Sequence, residues 1–167
     1  MASFSEIKQW LVLQFGEEII VKTDEKSLQP SLSVPAERIA DVCRFLHEDE
    51  RLFFDFLACL TAIDNGPVAN TMEVVYNLTS IPYEHSLMLK VSVSRNAPNE
   101  PLPCVPSISS IWRTAEWHER EAFDLVGIWF ENHPDLRRIL LPADWQGHPL
   151  RKDYEPQETY HGIQVKY

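Results

Sequence analysis

Apolar side chains recur every three or four residues in two stretches near the N-terminus, which is the spacing of helices that bury one face. The first stretch contains Phe4, Ile7, Trp10, Leu11 and Phe15. Ser3 and Glu6 have the spacing of a capping box at its start, and Gly16 supplies a stop. The second stretch contains Ile39, Val42, Cys43 and Leu46. We therefore expect two amphipathic helices, the second beginning near Pro35 and ending near Glu48.

Shorter runs rich in β-branched, tyrosine and leucine residues are typical of strands. Residues 19–23 and 31–34 predict two short strands joined by a polar turn. Residues 72–78 and 87–93 predict successive antiparallel strands separated by a loop. The apolar run 53–63 ends at a strong turn signal and fits a short helix leading into a buried strand, although periodicity alone does not decide this.

The C-terminal half is less regular. Four prolines oppose regular structure between the sheet and the next element: Pro98, Pro101, Pro103 and Pro106. Residues 107–110 are suited to start a helix that runs to Val126 and ends at Gly127. We expect residues 1–140 to form an α+β domain whose small, mostly antiparallel sheet has helices packed on one face. Residues 141–167 contain no apolar stripe, so we expect an extended, irregular, partner-binding arm that needs a partner to be ordered.

Composition narrows the class of protein. The chain has 167 residues, 44% of them hydrophobic, which supports a real core. Its formal net charge of −10 argues against a nucleic-acid binder and against direct adsorption to anionic lipid. It has no apolar run long enough for a membrane span, so a partner would have to hold it at a membrane.

The cysteines do not predict a metal centre. Cys43, Cys59 and Cys104 are widely spaced, form no C-x-x-C pair and follow no secretory leader, so they indicate structural thiols in a reducing compartment. Structural zinc and iron–sulfur sites usually need four thiolates, or two with two histidines. We therefore expect no cofactor and no metal on this chain.

Residues 117–154, here called the charged block, are the most informative part of the sequence because ions, prolines and large apolar side chains alternate there. We expect these ions to be partly buried and paired, and to serve docking against another surface, since ion burial contributes little net stability. The candidates for interface contacts or structural ion pairs are Glu119, Arg120, Glu121, Asp124, His133, Asp135, Arg137, Arg138, His148, Arg151, Lys152 and Asp153.

Two interpretations of these charges remain open. The cations Arg137, Arg138, Arg151 and Lys152 either pair inside the fold with carboxylates of the block or contact a partner's carboxylates and carbonyls. Glu116 stands four residues before Arg120, and Arg120 four before Asp124, which predicts an ion ladder on one helix face.

The histidines of the block are better explained as oriented turn residues than as metal ligands. His133 and His148 each precede a proline, which favours extended backbone. His118 and Glu119 begin an H-E-x-x-H zinc motif, but Ala122 stands where the second histidine would be.

Catalysis on this chain has little support. A rival hypothesis is a hydrolase that uses Glu119, Glu121 and Asp124 with His133 or His148, and it predicts a concave pocket where they converge. The sequence contains no nucleophile elbow and no phosphate loop, so we expect no catalytic residue here. A generic adaptor protein is a third possibility.

The charged block resembles the signature of the C-type subunit of the proton-pumping NADH:quinone oxidoreductase, respiratory complex I. The residues that carry the resemblance are Glu119 to Glu121, Phe123 to Leu125, Gly127, Ile128, Phe130, His133 to Leu140 and Gly147 to Tyr154. Val126 and Asn132 depart mildly from the family, which often has a larger apolar residue and a glycine at these positions.

The resemblance implies a non-catalytic subunit of the peripheral arm, lying against the quinone-site subunit of the D type and other peripheral-arm subunits. FMN, iron–sulfur clusters and quinone would then be bound by partner subunits. The complex would hold the chain at the cytoplasmic side of the cell inner membrane. An alternative is the equivalent subunit of a membrane-bound hydrogenase or a ferredoxin:quinone oxidoreductase.

Overall fold

The computed structural model describes residues 2–97 and 99–165. Over those residues the helices are α1 (Phe4–Phe15), α2 (Ile39–Glu48) and α3 (Ala115–Val126). The strands are β1 (Lys22–Asp24), β2 (Ser31–Ser33), β3 (Phe56–Asp64), β4 (Thr71–Ser80), β5 (His85–Ser94), β6 (Cys104–Pro106), β7 (Trp129–Glu131), β8 (Thr159–Tyr160) and β9 (Ile163–Gln164).

Local signals account for α1 and α2. The Glu6 N–H donates to the Ser3 hydroxyl, and the Ser3 N–H donates to the Glu6 carboxylate, which completes the predicted capping box. Gly16 ends α1 with a φ of 91°. The predicted apolar face of α2 is buried. Both helices are therefore confirmed, and their burial against the sheet supplies most of their stability.

The central sheet has the strand order β1-β2-β5-β4-β3, and β2–β5 is its parallel pair while the other pairs are antiparallel. Its buried face is formed by residues in register, such as Tyr76 of β4, which faces Leu60 of β3 and Leu89 of β5. The polar residues between them on each strand face away from the core. The predicted α+β fold is therefore confirmed.

Two predictions in this part of the chain were wrong in detail. Residues Glu17–Ile19 form a 3-10 turn, so β1 begins only at Lys22. The short helix expected after residue 53 is absent from the described structure. Instead, Leu52 and Phe53 both donate their N–H groups to the Asp49 carbonyl, and Phe53 has a φ of 39°, which a helix does not allow. β3 then begins at Phe56.

The region between residues 99 and 131 departs further from expectation. Despite the prolines, Cys104–Pro106 forms the short strand β6, which pairs parallel to β7. Pro106 is tolerated because it is the last residue of a short two-stranded ladder. Pro98 lies outside the described residues. α3 connects these two strands and packs against β3, and it begins at Ala115 rather than at residues 107–110.

Beyond β7 the chain is mostly irregular, as the sequence predicted, although β8 and β9 form a small hairpin that the sequence did not predict. The arm is described as far as residue 165, and Met1, Lys166 and Tyr167 lie outside the described residues. Among the described helices, none combines the length and the apolar character that a membrane crossing requires.

Candidate functional site

Asp124, on the last turn of α3, is completely buried and organises the start of the arm. Its carboxylate accepts from Arg138 Nη1 at 2.7 Å and from the backbone N–H groups of Ile139, Leu140 and Leu141 at 3.0, 2.8 and 2.9 Å. Burial alone would raise the pKa of Asp124, but these donors together hold it below its ordinary value. Asp124 is therefore charged at neutral pH, and it fixes the backbone that leaves the domain.

The C-terminus of α3 is capped by the arm. The last carbonyls of a helix lack partners within the helix and attract cations. His148 Nδ1 donates to the Asp124 carbonyl, and the Leu150 N–H donates to the Leu125 carbonyl. Arg151 donates through Nε to the Val126 carbonyl at 2.8 Å and through Nη2 to the Gly127 carbonyl at 3.0 Å.

Gly127 makes this capping possible. It has a φ of 78°, the left-handed conformation that follows many helices, and its N–H donates back into α3. A Cβ at this position would lie 2.5 Å from His148 and 2.7 Å from Arg151. Any other residue type at position 127 would prevent the arm from approaching the helix end so closely.

The forked cations predicted from the sequence mostly bind the chain's own backbone. Arg138 uses Nη2 to donate to the carbonyls of Trp145 and Gly147, which closes the turn before His148. Arg138 thus joins α3 to the arm, because Nη1 binds Asp124 of α3 and Nη2 binds these two carbonyls of the arm. Arg138 therefore pairs inside the fold with Asp124, a carboxylate of the block, as one interpretation expected. Arg151 is also occupied within the fold, but by backbone carbonyls and by Asn96 Oδ1 instead of a carboxylate.

A second anchor ties the arm to the sheet. Asp64, at the end of β3, is buried and accepts from Arg95 Nε at 2.8 Å and from the Lys152 N–H at 2.8 Å. Arg95 also bridges to Asp153. Burial would raise the pKa of Asp64, but the Arg95 guanidinium and the backbone donors keep it below its ordinary value. Sequence reasoning missed Asp64 and Arg95, because neither lies in the charged block and only the fold brings them beside it.

Glu119 is the other completely buried carboxyl of α3. It accepts from the Ser107 hydroxyl at 2.6 Å and from the Ile108 N–H at 2.8 Å, so it holds the segment that leads from β6 into α3. This contact explains why the helix does not begin at residue 107. Ser107 and Ile108 donate to the Glu119 side chain of α3 and do not form a helical turn of their own. Burial raises the pKa of Glu119 to about 7, against the effect of both donors.

The expected ion ladder on α3 was wrong. Arg120 donates to the carbonyls of Arg137 and Arg138 at 3.1 and 3.0 Å, and its guanidinium lies over the Trp117 ring. Asp124 turns inward to Arg138 instead. The buried hydrogen bonds available across the fold outweigh the few tenths of a kcal/mol that an exposed pair four residues apart supplies.

His133 is an oriented turn histidine, as predicted. Its Nε2 donates to the Glu116 carbonyl and its Nδ1 accepts from the Asp135 N–H, both at 3.0 Å. Asn132 before it has a φ of 63°, which accounts for a glycine preference at this position. On the surface of this turn, Arg137 pairs with Asp135, and both side chains are mostly exposed.

The arrangement does not resemble a hydrolytic centre. Glu119 faces the β6–α3 segment, whereas Asp124 faces the arm, and each is enclosed by its own donors. Glu121 is exposed and lines a shallow depression between α3 and β3 with His118 and Leu150. Among the described residues, no three histidine, cysteine or acidic side chains are placed to hold a metal ion.

The comparisons with known proteins agree with this picture. A family model described as the respiratory-chain NADH dehydrogenase 30 Kd subunit matches residues 32–160, which include most of β2, β3 through β8 and the whole charged block. The chain belongs to this family. The resemblance drawn from the charged block is therefore confirmed, and the relatives that match are C-type subunits of NADH-quinone oxidoreductase.

Relatives in this 30 Kd subunit family align over nearly the whole chain. The NADH-quinone oxidoreductase C-type subunit of Chloroherpeton thalassium is 46% identical over 92% of this chain, which spans 62% of that relative's length. The relative of the same name in Chlorobium phaeobacteroides is 39% identical over 92% of this chain and 90% of its own length. One solved chain, from an archaeal membrane-bound sulfane sulfur reductase, shares the fold with a TM-score of 0.72. That chain is 23% identical, and the match covers 90% of this chain and 85% of that one.

Large apolar side chains remain exposed in the part of the structure that characterises the family. Trp117 and Trp129 are 61% and 45% exposed, and Leu140 and Leu150 are 62% and 59% exposed. Exposed aromatic side chains in such a position are typical of protein interfaces. The interface role of the charged residues stays a prediction, since the structure contains no partner.

Proposed function

We propose that this chain is a non-catalytic peripheral-arm subunit of NADH:quinone oxidoreductase, a translocase. Sister subunits would bind FMN, the iron–sulfur clusters and quinone, and would carry electrons from NADH to quinone while protons are translocated. The observation that carries the proposal is the use of the buried ions. Asp124, Arg138 and Arg151 bind backbone groups that shape the arm, so the hydrogen bonds of these side chains are used within the chain.

The partner would be the quinone-site subunit of the D type, with other peripheral-arm subunits at the edges of the contact. The complex would then hold the chain at the cytoplasmic side of the cell inner membrane. Trp117 and Trp129 are candidate anchors, because exposed aromatic side chains surrounded by polar groups contribute much of the affinity in protein interfaces. Arg137 is the best charged candidate, since its side chain is 72% exposed.

The test is to purify a tagged chain from native membranes and identify its companions. Arg137→Ala should lower the recovered complex about tenfold while the isolated chain keeps its unfolding midpoint, because loss of an interface contact that contributes about 1.4 kcal/mol weakens binding tenfold. Arg38→Ala is the matched control, since Arg38 also forms an exposed ion pair but lies on the turn before α2. Arg151→Ala is unsuitable, because Arg151 caps α3 and its loss would disturb the domain itself.

Normal assembly of the Arg137→Ala complex with lost turnover would contradict a purely structural role and favour catalysis on this chain. Recovery without any membrane companions would instead favour an adaptor outside respiration.

The alternative electron donor has one observation in its favour. A chain with the same fold occurs in a membrane-bound sulfane sulfur reductase, so the fold alone does not specify NADH. The companion proteins identified in the purification distinguish the two proposals. A flavin-containing NADH module supports the main proposal. A nickel-containing hydrogenase subunit or a ferredoxin supports the alternative, in which the chain is the equivalent subunit of a membrane-bound hydrogenase or a ferredoxin:quinone oxidoreductase.

A further inference from the structure

Glu119 differs from Asp124 in having no opposite charge against it, although both carboxyls are completely buried on the same helix. Asp124 has the Arg138 guanidinium at 2.7 Å. The donors to Glu119 are the Ser107 hydroxyl and the Ile108 N–H, which are both neutral. A buried carboxylate without a counter-charge is costly, so the neutral acid is favoured at this position.

The titratable groups around Glu119 do not supply the missing charge. Cys43 of α2 and Tyr76 of β4 are buried groups that become negative when they ionise, and their pKa values are raised by burial and by Glu119. Glu116, one turn earlier on α3, also disfavours a charge on Glu119.

His133 is the one basic group nearby among the described residues, with Nε2 at 3.9 Å from Glu119 Oε2. That nitrogen already donates to the Glu116 carbonyl, and Nδ1 accepts from the Asp135 N–H. Both bonds fit the neutral ring, because a protonated Nδ1 would face another donor. His133 therefore orients the turn and does not neutralise the carboxylate.

The hydroxyls next to Glu119 satisfy either protonation state. The Ser107 Oγ lies 2.6 Å from Glu119 Oε2 and 2.7 Å from Ser109 Oγ, and either serine can donate in the second contact. When Glu119 is ionised, Ser107 donates to it. When Glu119 is protonated, it donates to Ser107, which in turn donates to Ser109, while the Ile108 N–H continues to donate to Oε1. The same coordinates thus accommodate a proton without leaving a polar atom unpaired.

We propose that Glu119 is a proton-binding site that forms a pH-sensitive latch between α3 and residues 107–109. In the protonated state the latch is neutral and closed. Loss of the proton places an uncompensated charge in the core, which lowers the stability of the fold around this contact. The site is enclosed within the domain, so this inference does not depend on the proposed function.

The direction of the pH effect follows from linkage. The pKa of Glu119 rises from 4.5 to about 7 on folding, so the folded chain binds the extra proton between these values. This stabilisation is fully present at low pH and is lost as the pH rises through about 7. As the pH rises across this range, ionisation of Glu119 alone decreases the ratio of folded to unfolded chain roughly 300-fold.

The experiment compares the full wild-type chain with Glu119→Gln, whose neutral amide accepts from Ile108 and donates to Ser107. Unfolding equilibria in urea are measured between pH 4.5 and pH 8.5, with Glu121→Gln as the exposed control on the same helix. We expect the wild-type chain and the Glu119→Gln variant to have similar stability at the acid end. The variant should become progressively more stable than the wild type as the pH rises, by roughly 300-fold in the folded ratio at the alkaline end.

Direct titration makes the test independent of whether the variant folds. The ¹³Cδ resonance of Glu119 in the labelled wild-type chain should titrate near neutrality, and Ser107→Ala should move that midpoint upward because the carboxylate loses a donor. A Glu119 midpoint below pH 5, or a variant-to-wild-type ratio that does not change with pH, would overturn the proposal.

Discussion

Replacing Asp124 by Asn tests whether the arm is held by one buried carboxylate. Asn has the same shape but lacks the charge, and its NH₂ group would face either the Arg138 guanidinium or the backbone donors of residues 139–141. Removing one partner of a buried ion pair typically costs between about 3 and 5 kcal/mol. Arg138 keeps its bonds to the carbonyls of Trp145 and Gly147, so we expect the lower end, about 3 kcal/mol.

Urea unfolding of the full chain at pH 7 measures this loss. With a denaturant slope of about 2 kcal/mol per molar, the midpoint should fall by about 1.5 M. Glu121→Gln removes an exposed carboxylate from the same helix and should change the stability by less than about 0.5 kcal/mol. Hydrogen exchange at the Ile139, Leu140 and Leu141 amides should accelerate in Asp124→Asn, because these amides lose their charged acceptor.

The pH dependence provides a further check with a defined sign. Because the pKa of Asp124 is lowered on folding from 3.8, its contribution is present above that value and is lost as the pH falls through the lower folded pKa. The stability difference between the wild type and Asp124→Asn should therefore shrink in acid. A difference below about 1 kcal/mol at pH 7, or one that grows in acid, would refute the reasoning.

Two other perturbations test the anchoring of the arm. Gly127→Ala should destabilise the chain by about 2 kcal/mol more than Gly162→Ala. Both glycines have φ near 79°, but a Cβ at Gly127 would clash with His148, whereas one at Gly162 would meet open space. Equal unfolding midpoints for the two variants would contradict the close packing against His148. Asp153→Asn should speed tryptic cleavage after Lys152 several-fold and change global stability by less than about 1 kcal/mol, because Asp153 is half-exposed and bridges to Arg95. Asp135→Asn, which removes an exposed carboxylate of the preceding turn, should leave that cleavage rate unchanged.

The sequence predicted the elements whose signals are local. The capping box of α1, the apolar face of α2 and the alternation in β4 and β5 are each complete within a dozen residues, so no distant contact was needed to find them. The short helix expected at the start of the apolar run 53–63 is absent because Leu52 and Phe53 form a turn about Asp49, which periodicity does not describe, whereas the strand expected after it is present as β3. β6 was missed for a different reason: its partner β7 lies beyond α3, and prolines obscure the strand.

The candidate site was predictable as a set of ions, but its pairing was not. Partial burial of the ions and the oriented His133 follow from the density and types of residues in the charged block, but the complete burial of Glu119 and Asp124 was not predicted. The anchors Asp64 and Arg95 come from β3 and from the chain just after β5, so only the sheet brings them to the arm. Ser107 and Ile108 were expected to start a helix. Their role as donors depends on Glu119, which lies further along the chain and on α3.

The buried ions explain how the C-terminal arm is held to the domain. An arm without an apolar stripe cannot be held by the hydrophobic effect, and exposed ion pairs contribute too little to replace it. Carbonyls at the end of α3 and a buried Asp124 offer directional partners that do not require apolar side chains. An arm shaped in this way before it meets a partner loses less conformational entropy on assembly. If the proposed assembly is right, we therefore expect the charged block to increase affinity for a neighbouring subunit even where its own ions never touch that neighbour.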